Sequence, residues 1–161
     1  MQSKKIKIIH FITSLGLGGA ERVLYNLIKN KNSDFDHHII CLNSGGQLKK
    51  KFQKSKIKVN CLSLDKDFWK GIFFCYNHIK KIKNKNKILV QTWLPHADLI
   101  GGIISKLCGI DKIIWNIRIS KFTNVSFKLN TIIIVLLNSF LSHFIPKKII
   151  SCSISGFNFH T

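Results

Sequence analysis

Six short apolar runs recur along the chain, and segments with helical spacing of apolar residues lie between them. The runs occupy residues 6–13, 38–42, 57–62, 88–92, 113–117 and 149–153. Apolar runs of this length, bounded by polar or glycine turns, are typical of buried strands. Their alternation with helices predicts an α/β fold: a doubly wound, mainly parallel, Rossmann-like sheet of about six strands with helices on both faces. Any ligand is then expected at the C-terminal edge of the strands.

Chain length and the positions of the cysteines indicate the number of domains and the redox environment of the protein. A chain of 161 residues suits a single domain, which we place at residues 1–161. Its five cysteines are scattered and never form a C-x-x-C pair, which argues against a disulfide framework and against a zinc site. The N-terminus lacks the pattern of a secretory signal. We therefore expect a cytoplasmic protein with reduced thiols.

The charge is strongly positive. Lys and Arg number 26 against 7 Asp and Glu, so the formal net charge is +19. Such a charge attracts phosphate-rich partners, either anionic membrane surfaces or nucleic acid. The lysines fall on predicted helix exteriors and turns, without the interleaved aromatic stripe of a nucleic-acid interface, so nucleic acid is the less favoured partner. Genomic base composition accounts for the lysine excess equally well.

A glycine-rich loop lies between the first apolar run and the first helical segment. Residues 15–22 read LGLGGAER. Glycines allow a ligand to approach the backbone closely, while the free N–H groups of the following helix face an anion. The alternative is a tight connection that needs only positive φ. The loop matches the dinucleotide-binding pattern G-x-G-x-x-G only in part, because counting from Gly16 places Glu21 where the last glycine belongs. The second apolar run is also followed by Asn43 rather than by the acidic residue that would bind a ribose. Both observations argue against a dinucleotide site.

The loop resembles the G-G-A-E-R signature that opens the N-terminal domain of family 4 glycosyltransferases, which are retaining enzymes of the two-domain GT-B fold. Two further stretches are similar to motifs of that family. Residues 91–101, QTWLPHADLIG, resemble its strand end and H-A-N-L-x-G helix start, and residues 114–120, IWNIRIS, resemble its W-x-I-R-x-S strand. The three motifs keep the family's order, and the resemblance extends over essentially the whole chain.

The resemblance implies roles for four residues. Gly18 and Gly19 would bring backbone N–H groups to the diphosphate of a nucleotide-sugar donor. His96 would contact the acceptor or the transferred sugar, or shuttle a proton; its alternative is a helix cap. Arg118 would bind a phosphorylated or lipid-pyrophosphate acceptor, and its alternative is a surface ion pair. No metal and no cofactor is expected, since the nucleotide-sugar is a co-substrate.

The family's N-terminal domain mainly holds a glycan or lipid-linked acceptor, and its C-terminal domain binds the nucleotide-sugar. Residues 149–161 resemble the last N-domain strand and the helix turn after it, so we expect the donor-binding domain to be absent. We expect this chain alone not to be a competent transferase. The alternative is a non-catalytic basic module that binds anionic membrane or nucleic acid.

Residues 131–145 form the most hydrophobic segment. A membrane-spanning helix needs about twenty residues, so this segment is too short to span. We expect a buried helix, with a helix lying on the cytosolic membrane surface as the second interpretation.

Overall fold

The computed structural model describes residues 5–30, 34–84, 87–117 and 129–151. The strands are β1 (Ile6–Ile12), β2 (Phe35–Cys41), β3 (Lys58–Cys61), β4 (Ile88–Trp93), β5 (Ile113–Ile117) and β6 (Lys148–Ser151). The helices are α1 (Gly19–Lys29), α2 (Lys49–Lys54), α3 (Phe68–Lys83), α4 (Pro95–Leu107) and α5 (Leu129–Leu141). Each predicted apolar run therefore overlaps a strand, although residues 152 and 153 of the last run lie outside the described residues.

The six strands form one parallel sheet in the order β3-β2-β1-β4-β5-β6. Chain order reverses at β1, because β2 pairs with one side of this strand and β4 with the other. Ile12 at the end of β1 lies opposite both Cys41 and Trp93. This is the topological switch point of a doubly wound sheet, where the loops diverge and leave a crevice. The predicted fold class is confirmed.

The core has two layers, one on each face of the sheet. Ile9 and Phe11 of β1 are fully buried in the layer that includes residues of α3 and α4. Ile12 faces the opposite way and packs with residues of α1 and α2. The alternation follows from the two-residue repeat of a strand. Each large apolar side chain fully buried in this way stabilises the fold by roughly 1.5–3 kcal/mol.

Helix α5 departs from expectation. It packs against α4, and Asn138 Nδ2 donates a hydrogen bond of 2.8 Å to the Pro95 carbonyl oxygen, yet none of its residues is buried. Leu136 and Phe140 remain 66% and 68% exposed. The expectation of a buried helix is wrong, because no described element covers the outer side of α5. Among the residues that the structure describes, no helix is long and apolar enough to cross a membrane.

Candidate functional site

The glycine loop joins the end of β1 to the start of α1 at the switch point. Gly18 is the N-cap of α1 with φ −67° and ψ 172°, and no side chain caps the helix. The first helical hydrogen bond runs from the Arg22 N–H to the Gly18 carbonyl oxygen at 3.1 Å. The N–H groups of residues 19–21 therefore have no acceptor within the helix. Together with the helix dipole they favour an anion at this end of α1.

The loop glycines are not required by backbone conformation. Among the described glycines, positive φ occurs only at Gly45 and Gly109. Gly18 and Gly19 differ in the space available for a side chain. A Cβ on Gly18 would lie 2.5 Å from Glu21 Oε2, whereas a Cβ on Gly19 would have no described atom within 4 Å. Gly19 is exposed, and the space beside it is open. The interpretation of the loop as a turn that needs positive φ is therefore wrong.

The carboxylate of Glu21 is folded under the loop. Glu21 is only 6% exposed, and Ser14 Oγ donates a hydrogen bond of 3.0 Å to its Oε1. Its position in the first turn of α1 places negative charge near the positive end of the helix dipole. Sequence reasoning gave Glu21 no role beyond that dipole effect. The sequence does place Ser14 and Glu21 seven residues apart on the two sides of the glycines. This spacing indicates a contact between them only when the loop conformation is known.

The loop that follows β2 supports the glycine loop from one side. The Asn43 N–H donates to the Thr13 carbonyl oxygen at 3.0 Å, and the Leu48 N–H donates to the Leu15 carbonyl oxygen at 2.9 Å. A Cβ on Gly46 would overlap the backbone of Leu15, so glycine is needed there for close approach of the two loops. Thr13 Oγ1 is buried at this junction and has no hydrogen-bond partner in the described part of the chain.

The turn between β4 and α4 forms the other side of the switch point. Leu94, the N-cap of α4, has φ 78°, a strained value for a residue with a branched side chain. His96 follows Pro95 in the first turn of α4 and is half-buried. Burial lowers the pKa of the His96 imidazole, which favours its neutral form. A neutral imidazole can both accept and donate a hydrogen bond to a sugar hydroxyl.

Asp98 lies in the same turn of α4 and is buried. Thr92 Oγ1 of β4 donates a hydrogen bond to Asp98 Oδ1. Burial raises the pKa of Asp98 to about 8, against the smaller lowering effect of that hydrogen bond. The side chain is therefore mostly protonated at neutral pH. Sequence reasoning did not single out Asp98, although it stands where the resembling H-A-N-L-x-G motif has an amide.

The structure brings three of the four predicted site residues to one edge of the sheet. Gly18 and Gly19 follow β1 and His96 follows β4, and these strands are neighbours. Arg118 comes directly after β5 but lies outside the described residues. In the described ranges, no group of three or more His, Cys, Asp and Glu side chains could hold a metal ion. The edge therefore offers backbone N–H donors and a neutral imidazole.

The fold has a counterpart among solved structures. The chain matches UDP-GlcNAc 2-epimerase from Methanocaldococcus jannaschii with a TM-score of 0.56 and 15% identity, over 96% of this chain and 41% of that one. The two proteins share a Rossmann-like fold. This chain therefore spans less than half the length of that epimerase. The likeness supports a GT-B-like fold and does not extend to family 4 of the glycosyltransferases. No family model matches the chain, and a search of curated proteins finds no match.

Proposed function

We propose that this chain is the acceptor-side domain of a nucleotide-sugar-dependent glycosyltransferase of the family 4 type. In the complete reaction, the bond between the anomeric carbon of the sugar and the donor diphosphate breaks. A new bond forms between that carbon and the hydroxyl oxygen of a glycan or lipid-linked acceptor. The acceptor hydroxyl loses its proton, and the diphosphate leaves with additional negative charge. The transfer needs a donor-binding domain in addition to residues 1–161.

The open space at Gly19 carries this proposal. Gly18 has an internal reason to be glycine, because Glu21 occupies the space that a side chain would need. Gly19 has no such reason among the described residues, and it stands beside N–H groups that lack helical acceptors. A diphosphate at this position would make the missing contacts. Preorganised N–H donors of this kind stabilise charge that develops on a leaving group.

His96 and Arg118 complete the proposed site. His96 would hydrogen-bond the acceptor or the transferred sugar, or carry a proton between them. Arg118, placed after β5, would hold a phosphate of the acceptor through its planar donors. No metal ion or cofactor is part of the proposal. The epimerase neighbour supports the general chemistry, since its name, UDP-GlcNAc 2-epimerase, identifies a UDP-sugar as its substrate.

Diphosphate binding can be tested on the chain itself by NMR. Titration of isotope-labelled protein with UDP is expected to move the amide resonances of Gly19 and Ala20, and inorganic pyrophosphate is expected to compete. Gly19→Val should abolish these shifts because its side chain occupies the open space. Asn26→Val, which adds the same side chain at an exposed position of α1, is the matched control. Unchanged UDP binding in Gly19→Val would remove the loop from the site.

Transfer is tested in a longer chain that also carries a donor-binding domain. Sugar release from a nucleotide-sugar should depend on an added acceptor, and Gly19→Val should eliminate it. If the nucleotide-sugar were instead converted to an epimer without an acceptor, this chain would be one domain of an epimerase. The two outcomes are separated by chromatography of the sugar product.

A membrane-binding role is the second candidate, and the exposed apolar side of α5 favours it. Ile133, Leu136, Phe140 and Phe144 are all more than half exposed, and Lys147 and Lys148 follow them. An apolar helix face next to lysines is suited to an anionic lipid surface. Sedimentation with phosphatidylglycerol vesicles should exceed that with phosphatidylcholine vesicles and fall in Leu136→Ser/Phe140→Ser. Equal binding by this variant would contradict the role of α5.

A further inference from the structure

Two cysteines face each other across neighbouring strands at the edge of the sheet. Cys41 ends β2 and Cys61 ends β3, and the two residues are direct partners in the parallel register. Neighbouring strands lie about 4.7–4.9 Å apart, which is within the Cα separation of about 4.4–6.8 Å that a disulfide spans. Residues in register point to the same face of the sheet, and both cysteines belong to the layer packed with α1 and α2. The backbone therefore permits a bond between their sulfurs.

The two thiols differ in exposure. Cys41 is fully buried, whereas Cys61 is half-buried on the edge strand. A small reagent from solvent thus reaches Cys61 before Cys41.

Lys49 lies beside the pair. Its Nζ and the Cys61 sulfur lie 3.9 and 3.4 Å from the position that a Cβ on Gly45 would occupy. The hydrogen bond from Cys41 and the positive charge of Lys49 lower the pKa of the Cys61 thiol, while the pKa of Cys41 is raised. The Cys41 thiol is also 3.7 Å from the Thr13 carbonyl oxygen, a second acceptor for its proton. Thiolate character is therefore concentrated on the more accessible sulfur, as in reactive cysteines.

We propose that Cys61 is a reversible oxidation site for hydroperoxides and that Cys41 is its resolving thiol. The Cys61 thiolate attacks one peroxide oxygen, the O–O bond breaks, and the departing alkoxide or hydroxide takes up a proton. Cys61 is then a sulfenic acid. The Cys41 sulfur attacks the Cys61 sulfur, the S–O bond breaks, and water leaves with the Cys41 proton. Overall, two thiols and one hydroperoxide give one disulfide, one alcohol or water molecule, and one further water molecule.

The disulfide would act next to the glycine loop. Cys61 borders Gly45, and Gly46 packs on the backbone of Leu15. A bond between Cys41 and Cys61 ties the ends of β2 and β3 beneath this contact. Oxidation of the two cysteines would therefore constrain the loops at the switch point. The oxidation itself does not depend on the proposed transferase function.

Peptide mapping of the reduced, full chain tests the proposal directly. Complete tryptic cleavage places the five cysteines in five different peptides, at residues 32–49, 59–66, 71–80, 107–112 and 149–161. After treatment with hydrogen peroxide, mass spectrometry should detect peptides 32–49 and 59–66 joined by a disulfide, and a reductant should separate them. Joining of any other pair, linkage between two molecules, or a Cys61 that stays reduced while another cysteine oxidises would overturn the proposal.

Single substitutions test the order of events. In Cys41→Ser, Cys61 should accumulate as a sulfenic acid that dimedone traps; in Cys61→Ser, Cys41 should stay reduced. Cys75→Ser is the matched control, since Cys75 is a buried cysteine outside this pair, and it should leave the 32–49/59–66 bond unchanged. Oxidation of Cys41 at the original rate in Cys61→Ser would overturn the assignment of roles.

Lys49 is tested through the rate of reaction. Lys49→Gln should slow alkylation of Cys61 by iodoacetamide at pH 7 by about threefold or more, because less of the thiol is ionised. Lys50→Gln, which removes the same charge from the neighbouring exposed position, should have a smaller effect. The unsubstituted chain gives a second measure that needs no variant: Cys61 should be alkylated before Cys41. Alkylation of Cys41 before Cys61 would contradict the inference that reagents from solvent reach Cys61 first.

Discussion

Ser14 Oγ donates a hydrogen bond of 3.0 Å to Glu21 Oε1 and holds that carboxylate beneath the glycine loop. The two residues come from opposite ends of the loop, so their contact closes it. Because Glu21 Oε2 fills the space beside Gly18, a side chain at that position would have to displace this carboxylate from its place under the loop. One internal contact thus determines the shape of the loop and leaves Gly19 as its open position.

Removal of the Glu21 side chain is expected to destabilise the protein. Glu21→Ala leaves Ser14 without its acceptor and opens a cavity, which should reduce the free energy of unfolding by about 1–3 kcal/mol. Glu21→Gln keeps the volume and an acceptor oxygen, and should lose less. Urea unfolding measures both, with Asn26→Ala on the exposed side of α1 as control. Equal stability of Glu21→Ala and Asn26→Ala would show that the contact does not hold the loop.

The charge of Glu21 has a separate consequence for binding. A carboxylate near the N-terminus of α1 competes with a bound anion for the same dipole. We expect Glu21→Gln to tighten UDP binding by about threefold or more, a factor that corresponds to Coulomb repulsion over several ångströms in a high effective dielectric. Calorimetric titration measures the change. Weaker binding in this variant would show that the carboxylate orients the loop rather than repels the ligand.

Asp98 is expected to reduce stability as the pH rises. Its pKa is raised to about 8 in the folded chain, above the ordinary value of 3.8, so the folded state holds the proton more tightly than the unfolded state. The stabilisation is complete below about pH 4 and is lost as the pH rises towards 8. Asp98→Asn keeps a neutral side chain and should be more stable than the parent at pH 8, by on the order of a few kcal/mol.

Urea unfolding at pH 5 and pH 8 tests this expectation for Asp98. The exposed Asp111, paired with Lys106, provides the control, because Asp111→Asn should show no comparable gain at the higher pH. If Asp98→Asn lost stability equally at both pH values, the proton on Asp98 would not be the cause.

His10 is expected to make the fold sensitive to acid. Trp93 Nε1 donates to His10 Nδ1 at 3.4 Å, so His10 carries its proton on Nε2, which lies 2.9 Å from His37 Nδ1. Burial, followed by the charges of His37 and His38, lowers the pKa of His10 to about 3. A lowered pKa stabilises the fold above about pH 6.5, and this contribution is lost as the pH falls towards 3.

His10→Gln should therefore flatten the loss of stability between pH 6.5 and pH 4.5. Part of the slope should remain, because burial also lowers the pKa of His38, to about 4. His143→Gln, at an exposed position, is the control for the exchange of a histidine for glutamine. A slope as steep as that of the parent in His10→Gln would contradict the role of His10.

His96 is expected to act on the reaction more than on donor binding. In a chain that carries a donor-binding domain, His96→Ala should lower kcat by about a hundredfold or more, as loss of a general acid or base does, with a smaller change in KM for the donor. Lys106→Ala, on an exposed position of α4, is the control. Leu94 is the N-cap of α4 and no side chain caps this helix, so the alternative of His96 as a helix cap is wrong. Full activity of His96→Ala would exclude His96 from the reaction.

The elements of the fold were largely predictable, because burial imposes a local pattern on a parallel sheet. All six strands lie in or overlap the apolar runs, since strands covered on both faces need continuous apolar sequence. The start of β2 was not predicted. Phe35, Asp36 and His37 extend it by pairing with β1, and this pairing is invisible in a locally polar sequence. For α5, composition predicted the helix but could not show that its apolar side stays uncovered.

The candidate site was predictable only in part. The glycine loop and His96 could be placed at the C-terminal edge because each follows an apolar run, and the direction of a parallel sheet brings such positions together. Asp98 could not be singled out, since its raised pKa arises from burial at the start of α4. The pairing of Cys41 with Cys61 likewise depends on strand register, which connects residues twenty positions apart.

By itself, the sequence determined that this chain folds as alternating strands and helices and that a glycine loop follows the first strand. These properties are local: they depend on side-chain spacing and on the conformational freedom of single residues. Only the tertiary structure decided why each glycine is there. Gly18 gives way to the carboxylate of Glu21 and Gly19 borders open space, and this difference exists only because the folded loop brings Ser14 and Glu21 into contact.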